Sequence, residues 1–195
     1  KQSKKPKLYN LLNKEEAEKR LAEEKQPRVT VSFYKYFFIT NPQMLRDEMF
    51  LEFSQLKVLG RVYLAQEGIN AQVSIPQVNF DAFKDYLYRI PELNGIRLNK
   101  AVDDGKSFIV LKIKVRNKIV ADGIDDPNFN MYKGGQYVTA EEFNQLAGNP
   151  EVVILDMRNH YEYEVGHFEN ALEVPSDTFR EQLHMSVEML QDKKD

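Results

Sequence analysis

Between residues 28 and 120 the apolar residues change their spacing several times, and each change marks an element. RVTVSFYKYFFI (28–39) is dense in β-branched and aromatic residues and reads as a strand. Asn41-Pro42 is a cap followed by proline at the first helical position. Leu45, Met49, Phe53 and Leu56 then recur at helical spacing, with Gly60 expected to close the helix. RVYLAQ (61–66) and INAQVSI (69–75) alternate as two strands around a hairpin at Glu67-Gly68. Phe80, Phe83, Leu87 and Ile90 mark a second amphipathic helix, stopped by Pro91. A short strand is expected within IRLNKAV (96–102) and a longer one over FIVLKIKV (108–115). The order β-α-β-β-α-β predicts an α+β ferredoxin-like domain, a split βαβ fold, over 28–120.

The pattern shifts after that. Residues 121–136 are Gly- and Asp-rich and read as a linker. Thr139-Ala140-Glu141-Glu142 is a capping box. EVVIL (151–155) is a continuous apolar run, as in a parallel strand covered on both faces, and Ser176 is placed to cap a last helix carrying Phe179, Leu183, Val187 and Leu190. Residues 137–195 therefore predict an α/β domain. A βαβ unit takes roughly 30 residues, so this segment is expected to hold only part of such a domain, with the protein continuing past Asp195. Residues 1–27 are polar and lysine-rich; KEEAEKRLAEEK favours a helix with little apolar surface, an appendage to the first domain.

Composition narrows the chemistry. The formal net charge is −3, so a polyanion would need a local basic patch. Cysteine is absent, which removes disulfides, thiolate metal sites and a cysteine nucleophile from these residues. His160, His167 and His184 lack metal-ligand spacing, and no metal site is expected. No apolar run approaches membrane-spanning length and no signal-peptide pattern opens the chain, so a cytoplasmic location is the expectation.

Strand alternation sorts the first domain's side chains onto two faces. Ile109, Leu111, Ile113, Val115, Val62, Leu64, Ile69, Ala71, Val73 and Ile75 fall on the helix side. The other face collects Tyr34, Tyr36, Arg61, Tyr63, Lys112, Lys114 and Arg116, beside Asn70, Gln72 and Ser74. Cations for phosphates and aromatics for bases suit an RNA-reading sheet. The plainer alternative is a solvated face, or one packed on a neighbouring domain. Glu67 and Asn70 are candidates for substrate contact, although Glu67-Gly68 is first of all a turn.

The other concentration of chemistry is LDMRNHYEYEVGHFENALEVP (155–175). Asp156 falls at the C-terminal end of the expected parallel strand, where α/β folds place their sites. Asp156, Arg158, Glu162 and His167 can form a polar network. One use of it is acid–base chemistry. The preferred one is structural: Arg158 pairs with Asp156 or Glu162, and His167 bonds the backbone to fix a loop.

The spacing D-x-R-x-x-x-E-Y-x-x-G-H-F-x-x-A-x-x-V-P from Asp156 to Pro175 resembles the N-terminal signature of rhodanese domains. Together with RVTVSFYKYFFI, GRVYLAQEGINAQVSIP, DGKSFIVLKIKVR and IVADGIDDP, it resembles the bacterial tRNA uridine hydroxylase family. That resemblance implies an acylphosphatase-like (ferredoxin-like) domain followed by a rhodanese domain. It implies an enzyme, an oxidoreductase that uses molecular oxygen as co-substrate to form 5-hydroxyuridine at the tRNA wobble position, with no further cofactor identifiable. The family's essential cysteine lies in a rhodanese loop expected beyond Asp195, so Asp156, Arg158, Glu162 and His167 are expected to support the pocket, not to supply the nucleophile. A persulfide sulfurtransferase, or a non-catalytic RNA- or protein-binding module, remains the alternative.

Overall fold

The computed structural model describes residues 8–102, 105–120, 123–124, 135–176 and 178–191. The chain divides into two compact units, Lys1–Val120 and Ala121–Asp195. Most of the expected linker, 121–122 and 125–134, lies outside the described residues.

The first unit opens on helix α1 (Lys14–Glu23), started by an Asn13–Glu16 capping box and seated by Ala17 and Leu21. Strand β1 (Arg28–Tyr36) is shorter than expected, because Phe37 and Ile39 leave the ladder and donate their N–H groups to the hairpin loop carbonyls of Glu67 and Gln66. Helix α2 (Pro42–Gln55) starts at Asn41, whose side chain caps Met44 N. It is not Gly60 that ends it. Lys57 takes the left-handed conformation (φ 56°), and Val58 N bonds back to Phe53 O at 2.8 Å.

Gly60 instead lies inside β2 (Leu59–Ala65), which pairs with β3 (Gly68–Pro76) through the two-residue loop Gln66-Glu67. Gly68, at φ 149°, begins β3 where a Cβ would collide with the carbonyl oxygen of Lys35 on β1. Helix α3 (Phe80–Arg89) follows, then β4 (Asn99–Lys100) and β5 (Leu111–Val115).

The sheet order is β4-β1-β3-β2-β5. The fourth position of the split βαβ sheet is therefore filled by the two-residue β4, antiparallel to β1. The longer β5 adds a fifth strand, parallel to β2, at the opposite edge. Residues 108–110 precede this strand and do not belong to it. Helices α2 and α3 cover one face, and their Met49, Phe53, Phe83 and Leu87 share a core with Val31, Phe33, Val62, Leu64, Ile69 and Val73. The Phe53 and Phe83 rings meet at 5.2 Å, and Phe33 meets Phe83 edge-on at 6.3 Å. Val115, expected inside, is 39% exposed at the strand end.

The second unit contains α4 (Ala140–Ala147), β6 (Leu155–Asp156), α5 (His160–Val165), β7 (Leu172–Glu173) and α6 (Phe179–Met189). The expected strand over 151–155 is reduced to two residues, because its only described neighbour, the parallel β7, offers two partners. Val152 to Ile154 are consequently half-buried and not enclosed on both faces. Thr178, not Ser176, caps α6: its Oγ1 accepts from Glu181 N, while Ser176 Oγ donates to the Glu181 carboxylate at 2.6 Å.

Candidate functional site

The face of the first sheet opposite the helices has a defined grid. Tyr34 pairs with Asn70, Asn70 with Tyr63 and Tyr63 with Lys114, so these four form one row across the strands. Ser32, Gln72, Arg61 and Lys112 form the next. Tyr34 is 54% exposed, Arg61, Lys112, Lys114 and Arg116 are exposed, and Tyr36 and Tyr63 are half-buried. Tyr34 and Tyr36 meet edge-on at 6.4 Å. The Arg116 guanidinium lies 5.2 Å from the Tyr63 ring centroid, and that of Arg61 lies 5.5 Å from Phe108. The structure thus brings all seven sequence candidates to one face. Phe108, on the same side by alternation but not singled out from the sequence, joins them.

The face is not open throughout. Ser74 points onto it but is wholly buried, because its Oγ donates to the carbonyl oxygen of Gly105. Arg28, only 1% exposed at its side chain, lies beside it and uses every guanidinium N–H. Nε donates to Ser74 Oγ at 2.9 Å, Nη1 to both Glu24 oxygens at 2.9 and 3.0 Å, and Nη2 to Lys57 O at 2.6 Å and Ser74 O at 2.8 Å. Burial lowers the Arg28 pKa, and the Glu24 carboxylate acts against that.

At the other end, Glu67 and Asn70 hold the chain that follows β5. Glu67 Oε1 accepts from Ile119 N at 2.8 Å, and Asn70 Nδ2 donates to Ile119 O at 3.4 Å. Ile119 is 4% exposed as a result. Both side chains make these contacts within the protein itself, a use that turn chemistry did not suggest.

In the second unit the polar network around Asp156 is intramolecular and local. Asp156 ends β6 and is buried; Arg158 Nε reaches its two oxygens at 2.9 and 3.1 Å, and Arg158 Nη2 also donates to Gly166 O at 2.7 Å. The hydrogen bonds from Arg158 hold the Asp156 carboxyl below its usual range, against the effect of burial, with His167 adding a smaller Coulombic contribution. Glu162 does not meet Arg158 by hydrogen bond; its carboxylate closes the capping box at Asn159, accepting from the N–H at 3.3 Å and from Nδ2 at 2.9 Å. His167 stacks on Tyr163 (3.8 Å, 5° between planes), and its Nδ1 donates to Tyr163 O at 3.0 Å, the carbonyl fixing that tautomer. His160, not singled out by sequence, contacts Glu173 through Nδ1 at 2.6 Å and Glu164 through Nε2 at 3.4 Å. Among the described residues no group of three or more His, Cys, Asp or Glu is placed to hold a metal ion, and no helix is long and apolar enough to cross a membrane.

A split βαβ sheet extended by a fifth, parallel edge strand makes the first unit an α+β domain, and the second unit is α/β structure carrying a strand-end Asp–Arg pair and its clamped loop. Residues 28–119 match the UPF0176 acylphosphatase-like domain and residues 139–195 match the rhodanese-like domain. The chain thus carries matches to both domains, in that order. A Pectobacterium carotovorum subsp. carotovorum protein named tRNA uridine(34) hydroxylase is 59% identical over 97% of this chain, which is 54% of that relative. Enterobacter sp. (strain 638) and Salmonella arizonae proteins of the same name are 57% and 55% identical, each over 97% of this chain and 55% of the relative. The chain spans about half the length of the curated relatives it matches.

Proposed function

We propose that this chain is part of an enzyme that hydroxylates the wobble uridine of tRNA. The observation that carries the reading is identity of 55–59% to proteins named for that reaction, sustained over 97% of the chain and across both domains. Tyr34, Tyr36, Arg61, Tyr63, Lys112, Lys114 and Arg116 are its tRNA-facing surface. Asp156 and Arg158 frame the strand-end loop of the rhodanese-like domain, with Glu162 and His167 holding the backbone on either side. Glu67 and Asn70 serve the fold through Ile119, not the substrate. The 195 residues contain no cysteine and so supply no thiol nucleophile of their own. Molecular oxygen is the co-substrate, and a tRNA substrate makes the cytoplasm the place of action.

The test is nucleoside mass spectrometry of tRNA from a strain lacking the gene, with the gene restored on a plasmid. Loss of 5-hydroxyuridine and its derivatives at the wobble position, recovered on restoration, is the expected result. Unchanged levels that also fail to rise when the gene is overexpressed would overturn it.

A further inference from the structure

Two segments wall off the basic face of the first sheet and leave a trough between them. On one side, Gly105 covers Ser74 and Phe108 lies under the Arg61 guanidinium. Gly105 has φ 73°, and a Cβ there would collide with Arg28, so this wall sits directly on the strands. On the other side, Ile119 is fastened over the sheet by Glu67 and Asn70. Ser74 and Asn70 are four residues apart on β3, so the walls are anchored about 13 Å apart along the strands.

Gln72 and Arg61 occupy the floor, with Tyr63 beside them; Lys112 and Lys114 stand opposite Arg61 and Tyr63 at the β5 edge. Among the described residues no acidic side chain pairs with Arg61, Lys112, Lys114 or Arg116. Four cations without counter-charges on one strip of a chain of net charge −3 make a local field for a polyanion. The Tyr63 ring already carries the planar guanidinium of Arg116 against it, the stacking a nucleobase would also use.

We infer that the trough takes one unpaired RNA strand running across the sheet. Its phosphates meet Lys112 and Lys114 at the β5 edge, and a base stacks on Tyr63 behind them. A spacing of about 13 Å between wall anchors seats a single strand and not a duplex. The inference rests on the tRNA reading only for the source of that strand. Cations and aromatics make separable contributions: a lost phosphate contact reduces the salt dependence, whereas a lost stacking partner weakens binding at every salt concentration.

The experiment is fluorescence anisotropy of the 195-residue chain with a labelled unpaired oligoribonucleotide, and with the same strand in a duplex, across a salt series. The unpaired strand is expected to bind at least tenfold more tightly. Substituting Lys112→Ala and Lys114→Ala together should lower the slope of log K against log salt by about 1.4, since each single-strand phosphate contact contributes about 0.7. Tyr63→Ala should weaken binding about 5- to 100-fold with the slope unchanged. Phe108→Ala, whose circular dichroism and melting report folding, probes the wall. Equal affinity for the duplex overturns the inference, as does binding indifferent to the Lys pair and Tyr63. Capture of polyglutamate in place of RNA overturns it too, making the face a protein-docking surface. None of these touches the wobble-nucleoside result in the deletion strain, so the two readings fail separately.

Discussion

Arg28→Ala removes one side chain and disconnects four structural partners. The guanidinium joins the Glu24 carboxylate, the Lys57 carbonyl that follows α2, and both the hydroxyl and the carbonyl of Ser74 on β3. Truncation leaves the Lys57 carbonyl without this donor, about 1–3 kcal/mol if it stays dry, and removes a second donor from the carbonyl of Ser74, which stays in the β2–β3 ladder. Breaking a buried ion pair by removing one partner costs about 3–5 kcal/mol. Two features place this site toward the lower end. Glu24 is 23% exposed and can be solvated. A cavity of about 610 Å³, lined by Arg28, Glu24, Lys57 and Leu21, adjoins the site and admits water to the vacated space. The expected loss is about 3 kcal/mol for the first unit. With ten tyrosines and no tryptophan, tyrosine fluorescence and far-ultraviolet circular dichroism follow unfolding. At a urea m-value of about 2 kcal/mol per molar, the midpoint should fall by about 1.5 M. Arg28→Lys should recover little, because one ammonium cannot reach three directions at once. Glu24→Ala should cost about 3 kcal/mol as well, because it leaves the Arg28 guanidinium, 1% exposed, buried without its counter-charge. A midpoint shift below about 0.3 M for Arg28→Ala would show that the network contributes nothing net.

Gly68→Ala should destabilise the first unit by more than the usual 1 kcal/mol or so of a strained glycine site, because the new methyl meets the fixed Lys35 carbonyl; an unchanged melting temperature would refute this. Asp156→Asn should cost stability at neutral pH, and the difference from the parent should shrink on acidification. The Asp156 carboxyl is held below its ordinary value of 3.8, so its contribution is complete above that pH and lost as the folded group finally protonates. Urea titrations at pH 7 and pH 3 give the two differences, and a penalty of equal size at both contradicts the assignment. Thr139→Ala should loosen the first turn of α4 and cost about 1 kcal/mol, read as faster amide exchange at Glu142, whose N–H bonds Thr139 Oγ1 at 3.2 Å.

How much of this could be read from the sequence depends on what each feature rests on. Helices α2 and α3 and the β2–β3 hairpin follow from periodicity and from Asn41-Pro42, because one face of each element is buried and the pattern records it. The seven residues of the basic face were legible for the same reason: alternation on paired strands leaves no choice of side. Sheet order was not. Whether 99–100 or 111–115 takes the place beside β1 depends on a chain crossing that no local pattern encodes, and the short segment takes it.

The walls of the trough were invisible for a related reason. Gly105 over Ser74, and Ile119 between Glu67 and Asn70, are contacts between residues 31, 52 and 49 positions apart, made by backbone groups that carry no residue-type signal. That Glu67 and Asn70, candidates for substrate contact beside a turn, reach Ile119 was equally hidden, since a polar side chain gives no indication of which backbone it will reach. The cluster at 155–175 is the converse case. Its residue types suggested chemistry, but a buried carboxylate bonded to an arginine two residues on, a histidine bonded to a carbonyl four residues back and a glutamate closing its own helix cap are all short-range. Each donor or acceptor so engaged holds the backbone of the loop itself. The long-range contacts on the first sheet do the opposite: by covering the face at Ser74 and at Asn70 they leave the row of Gln72, Arg61 and Lys112 open between them.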